Sequence, residues 1–229
     1  MKPETKRTIG EWRAEAEFDR PASTTFHAVT HVWGREYLDL FLNLCIPNHL
    51  AAGNVPALPS GSRYRILTGS IHVEELDTHP MVHALREVIP VDIVVVDALD
   101  RQKEFANFYD PQNECHQQAI ADILAAHTAL IMLSADIVLS ENALVAVVRR
   151  HRQGYRAVVE TGLRLAKESF LKSLEQSRAR LDALSPRELI RMALPHLHPE
   201  ILSMFADAPA FSERPSQVYW RVGSEGMLA

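Results

Sequence analysis

Hydrophobic and polar positions along the chain follow two alternating rhythms. The segment Phe26-His27-Ala28-Val29-Thr30-His31-Val32-Trp33 is β-branched and aromatic, holds no breaker and stops at Gly34, which predicts a strand. From Arg35 the spacing lengthens. Tyr37, Leu38, Phe41, Leu42, Cys45 and Ile46 recur at helical intervals until Pro47, where the helix is expected to end. A loop containing Gly53-Asn54-Val55-Pro56 and Pro59-Ser60-Gly61 follows. Arg63 to Thr68 reads as a second strand closed by Gly69, and Val73 to Ile89 as a helix that Pro80 kinks or restarts.

The rhythm then repeats. Val91 to Val96 is an almost unbroken Val/Ile run, as expected of a central parallel strand covered on each side. Asn113 to His127 predicts a helix, Ala129 to Leu133 a strand, Glu141 to Arg152 a helix and Tyr155 to Val159 another strand. From Arg164 the character changes to a long amphipathic helix reaching about Leu184. Ser185-Pro186-Arg187-Glu188 then opens a further helix to Leu194, with Ser185 as N-cap and Glu188 reaching back. The tail from Pro195 reads as loop until a last strand over Val218 to Val222.

Alternation of this kind predicts an α/β fold: a mostly parallel sheet with helices on both faces, plus a helical section at about 163–195. Residues 1–24 read as a polar N-terminal arm and 25–229 as a single domain. Sheets of this class bind ligands beyond the carboxyl ends of their strands. That places Trp33, Gly34, Arg35, Thr68, Asp97 and Ser134 to Asp136 where a ligand would lie.

Composition narrows the function classes. Among 229 residues, 24 Lys and Arg stand against 29 Asp and Glu, so the formal charge of −5 offers nothing to draw the chain onto nucleic acid or anionic lipid. Cys45 and Cys115 form no CxxC pair, which argues for a reducing, cytoplasmic setting over a disulfide scaffold or structural zinc. The charged N-terminus has no apolar signal region, and no apolar run approaches the ~18 residues of a membrane span.

The strong catalytic signatures are absent: no phosphate loop, GxGxxG, HExxH or GxSxG occurs. Ser169-Phe170-Leu171-Lys172 matches SxxK but lies inside the long amphipathic helix. Two patterns remain. An apolar strand delivers Asp136 just past its end, where a carboxylate serves a hard divalent cation such as Mg²⁺ or Mn²⁺ beside phosphate oxygens, or simply caps a turn. His27 with His31, and His79 with His83, are spaced four apart, a spacing also used by zinc ligands.

The chain resembles the GT-A nucleotide-sugar glycosyltransferases, in particular small bacterial glycosyltransferase-like proteins, from about Thr25 to its end. The resemblance rests on the strand His27 to Trp33 leading into Gly34-Arg35-Glu36-Tyr37, the strand Tyr64 to Thr68, the apolar strand ending in Ser134-Ala135-Asp136, and Trp220-Arg221-Val222 with Glu225. It implies transfer of a sugar from a nucleoside diphosphate sugar to a hydroxyl of a glycan or small-molecule acceptor. Asp136 would be the metal ligand, in the place of the family's Asp-x-Asp. Ser134 replaces the first acid of that motif, which implies weakened Mn²⁺ or Mg²⁺ binding, or a diphosphate met by Arg35 or Arg164. By the same resemblance Trp33, Gly34, Thr68 and Asp97 fall on the donor side, His116 touches the acceptor, and Glu225 between glycines is the base. The family's late histidine ligand has no counterpart after His198, and an end so soon after Gly226 is expected of a chain missing its C-terminal segment.

Two other classes compete. A metal-assisted hydrolase of phosphorylated or nucleotide compounds would use Asp136 with nearby histidines. A non-catalytic nucleotide-sugar or glycan binding module would account for the lost first acid. The apolar stripes of the late helices either cover the sheet or form a homodimer.

Overall fold

The computed structural model describes residues 24–107, 109–160, 162–177, 181, 184–223 and 226–228. Four parallel strands form its centre: β1 (Phe26–His31), β2 (Arg63–Thr68), β3 (Val91–Val95) and β4 (Ala129–Ser134), in spatial order β3-β2-β1-β4. Helices flank this sheet, so the fold is α/β with a parallel sheet. Its strand order matches that of a doubly wound nucleotide-binding half.

The alternation along each strand divides the core. Phe26, Ala28, Tyr64, Ile66, Ile131 and Leu133 point to one face and join the larger buried cluster. That face is covered by α1 (Arg35–Leu40), a π-turn (Phe41–Cys45), α2 (Ile46–His49), α3 (Val73–Thr78), α4 (Pro80–Val88) and, beyond β4, α7 (Ala143–Arg152). Val29 and Leu67 point the other way, against Ala98 and Leu99 of α5 (Asp97–Asp100) and Cys115 and Ala119 of α6 (Asp110–Ala126). A third cluster, around Leu197, Ile201, Phe205 and Tyr219, gathers the C-terminal elements. These are α8 (Lys167–Ser177), α9 (Pro186–Ala193), α10 (Pro199–Leu202) and the antiparallel pair β5 (Trp220–Val222) and β6 (Gly226–Leu228). An ion pair between Lys167 at the start of α8 and Glu36 in α1 ties this section to the rest.

Several elements differ from expectation. Pro47 does not end its helix. In a regular α-helix its ring would press on the carbonyl of Asn43, and it has no N–H to give. The chain widens just before it instead, with the Ile46 N–H bonded to the Phe41 carbonyl, and runs on to His49. The run from Val91 is an edge strand and not a central one, since β3 pairs with β2 alone. Unbroken Val and Ile report apolar neighbours above and below a strand and say nothing of its two edges. Tyr155 to Val159 forms no strand: Val159 is 92% exposed, and without a neighbour its β-branched side chain has nothing to pack against. The described part of the long amphipathic helix covers Lys167–Ser177, beginning later than Arg164. Pro80 starts α4 after a break at His79, whose Nδ1 accepts from the Met81 N–H at 3.2 Å. No helix among the described residues is long and apolar enough to cross a membrane.

Candidate functional site at the end of strands one and four

From β1 the chain passes to β2 on one side, whereas β4 lies against the opposite edge of β1. The connections therefore diverge between β1 and β4, and a crevice opens beyond their carboxyl ends. His31 sits in register with Ser134 at this point.

Buried side chains hold both sides of the crevice. On the β1 side, the Thr68 hydroxyl donates to the Val32 carbonyl at 2.7 Å. The next turn needs Gly34, whose φ of 78° strains any residue with a Cβ. Its N–H donates to His72 Nε2 at 3.2 Å. On the β4 side, the Ser134 hydroxyl donates to Asp136 Oδ1 at 2.7 Å. The Cys45 thiol donates to the Ala135 carbonyl at 3.3 Å, and His49 Nε2 lies 3.2 Å from the Ile137 carbonyl. Asn48 brackets Leu139, donating to its carbonyl at 2.9 Å and accepting from its N–H at 2.7 Å. Carbonyls 135, 137 and 139 are thus each held from the helix that follows β1, and Asp136 stands between the first two.

Aromatic rings line the α6 side. The His31 ring lies 5.5 Å from that of Trp33 and 5.2 Å from that of His116, the latter edge-on. His31 is 7% exposed, and burial, helped by His116 and opposed by Asp136, lowers its pKa to about 4. Its Nδ1 and His116 Nε2 are buried without a hydrogen-bond partner. Burial, and secondarily the charge of Asp136, pushes the Cys45 thiol up to about 12.

The structure brings Trp33, Gly34, Arg35, His116 and Asp136 to this region and gives the other candidates different settings. The Arg35 guanidinium is held by Asp39 and by Glu75, the latter at 2.7 Å. Thr68 is fully buried and spends its hydroxyl on Val32. Asp97 is exposed at the start of α5. Arg164 pairs with Glu200 in the C-terminal section. Glu225 lies outside the described residues. The Ser169 hydroxyl donates to the Ala166 carbonyl at 3.0 Å and meets His196 Nδ1 at 3.0 Å, on the exposed first turn of α8. His27 and His31 share a face, but four residues of strand separate them by ~13 Å, too far to grip one ion. A recess of about 640 Å³ on the outer flank of α6, lined by Phe105, Asp110, Asn113, Glu114 and Gln117 among others, offers carboxylates and no cation.

Sequence reasoning missed Cys45, Asn48, His49, His72 and the buried pair Thr30 and Tyr64. The signal for the first three was present: a polar stretch continuing the face of Leu42 and Ile46 past Pro47. Reading the proline as a stop assigned Asn48 and His49 to a loop.

Among the described residues no three or more His, Cys, Asp or Glu side chains gather to hold a metal ion. Asp136 fits a lesser role. Its Oδ1 is engaged by Ser134, and a Mg²⁺ or Mn²⁺ ion bound mainly by water and ligand phosphates asks the protein for only one or two carboxylates. Compared with family models, with curated proteins and with solved structures, the chain matches none.

Proposed function

We propose that this chain is a sugar transferase of GT-A type that takes a nucleoside diphosphate sugar into the crevice between β1 and β4. The observation that carries the reading is Asp136: a solvent-facing carboxylate at the switch point, on a loop gripped through the carbonyls of both its neighbours. Such rigidity is what a group that must meet a diphosphate with small positional error requires. Asp136 would ligate the divalent cation that neutralises the diphosphate leaving group. Trp33 offers a flat ring beside the crevice, and Gly34 lets the ligand approach the backbone closely. In the reaction the bond from the anomeric carbon to the diphosphate breaks and one to the acceptor oxygen forms. The acceptor proton passes to a base, for which Glu225 is the candidate.

A second reading, a binding module that does not turn over, is favoured by one specific feature. Arg35 at the crevice mouth is already held by Asp39 and Glu75, and Ser134 stands where a second acid would strengthen the metal site.

Thermal unfolding with UDP, GDP and their sugar conjugates, each with Mn²⁺, Mg²⁺ or EDTA, tests both. A ligand at a hundred times its dissociation constant adds about 2.7 kcal/mol of stability. The transferase reading expects one nucleotide to raise the midpoint, the rise to vanish in EDTA and in Asp136→Ala, and sugar to be released or transferred on incubation. A rise without turnover favours the binding module. No rise with any nucleotide overturns both.

A further inference from the structure

The contact between His49 and Ile137 is the end of a buried chain of hydrogen bonds whose direction can be deduced. A carbonyl only accepts, so His49 Nε2, 3.2 Å from the Ile137 oxygen, carries a proton. Burial lowers the pKa of this ring to about 4, so at neutral pH its Nδ1 is bare. The bare nitrogen accepts from the Tyr64 hydroxyl at 3.0 Å. Having given its one proton, the Tyr64 oxygen accepts from the Thr30 hydroxyl at 2.7 Å. Donation therefore runs from Thr30 in β1, through Tyr64 in β2 and His49 in α2, to the peptide beside Asp136. All three side chains have no solvent exposure.

An apolar trio would fill this space without the ~1–3 kcal/mol that each buried polar group forfeits if left unpaired. What the polar chain adds is direction: one tautomer, with its N–H aimed at one oxygen. We propose that His49, with its tautomer fixed by Tyr64 and Thr30, is the positioning residue for Asp136. It holds the carbonyl on one side of the carboxylate while Cys45 holds the carbonyl on the other. This rests on the reading of Asp136 as the group that meets the diphosphate.

The test compares a ligand that reaches Asp136 with one that does not: UDP against uridine, and GDP against guanosine, by calorimetry in Mn²⁺ with the full chain. Tyr64→Phe removes one oxygen atom, and His49→Leu removes the donor. Both are expected to weaken diphosphate binding about tenfold while nucleoside binding stays within about twofold, the size of effect seen when a ligand's supporting group is lost. His49→Gln, whose amide can still donate to Ile137, is expected to recover most of the loss. Thr30→Val, close in volume, carries the same comparison should Tyr64→Phe fail to fold. If both ligands weaken together, or neither does, the positioning role is overturned. Asp136→Asn separates the two levels. If it weakens diphosphate binding and the His49 and Tyr64 variants do not, positioning alone fails; if it changes nothing, the reading of the site fails with it.

Discussion

His27 and His31 sit on the same face of the same strand, each 7% exposed, yet their surroundings have little in common. Around His27 every neighbour is charged. Arg63 makes two bonds to Asp92, at 2.8 and 2.6 Å, and Arg65 bridges Asp92 and Asp122. Burial lowers the pKa of His27, the two arginines lower it further, and the carboxylates oppose them. Around His31, at the carboxyl end, the neighbours are neutral rings, and the nearby charge of Asp136 belongs to an exposed side chain. One end of the strand pairs its charges with one another. The other keeps its buried groups neutral and leaves a carboxylate facing solvent. The first arrangement serves the fold, and the second leaves a charge available to a ligand.

The largest effect expected from this contrast is on acid stability. The folded pKa of His31, about 4, lies below the ordinary value of 6.5. Between those values the unfolded chain binds a proton that the folded chain refuses, so stability falls as pH drops from 6.5 to 4 and is unaffected above that window. The loss is about 3 kcal/mol from His31, and His49 adds to it in the same direction. Urea melts across this range should steepen with acid, and His31→Gln should flatten the dependence more than His27→Gln. A larger flattening from His27→Gln would reverse the contrast.

Next in size is the paired end. Arg65, with its side chain 14% exposed, leaves Asp122 without its cation when removed. Arg65→Met should therefore destabilise the protein by about 3 kcal/mol in urea unfolding. Any midpoint rise that a nucleotide gives should keep its size, since the change lies at the far end of the strand. Loss of that rise would show that the two ends are coupled.

The smallest expected change is at Asp136. Its side chain faces solvent, and an asparagine there keeps an oxygen for the Ser134 hydroxyl. Asp136→Asn should alter stability by less than about 0.5 kcal/mol while abolishing the nucleotide-dependent rise. A substantial loss of stability would make this carboxylate part of the fold.

Much of the frame was legible because it is written locally. The second strand, Arg63–Thr68, runs from residue to residue as its alternation and closing glycine predict. The capping box is formed, with the Ser185 N–H donating to Glu188 at 2.9 Å. Asp136 was found for the same reason: an apolar strand followed by an acid is a pattern within eight residues. The grip on its loop was not legible. Cys45, Asn48 and His49 meet partners 88 to 91 positions away, and no local rhythm encodes a contact that only the packing of a helix under β4 creates. The Tyr155 to Val159 segment failed in the opposite sense. Its β propensity is real, but a strand also needs a neighbour.

The wide turn at Phe41–Cys45 has a consequence for how this helix tolerates change in length. Each residue advances an α-helix by about 100°, so a turn closed by a longer ring behaves as one residue added to a regular helix. Deleting the exposed Asn43 would give the helix back its ordinary pitch. It would also turn Cys45, Asn48 and His49 by roughly a quarter of a revolution relative to Leu38, away from the three carbonyls they hold. Here a shorter and more regular helix would be the damaged one, and the length of this segment is as much a part of the crevice as the side chains that line it.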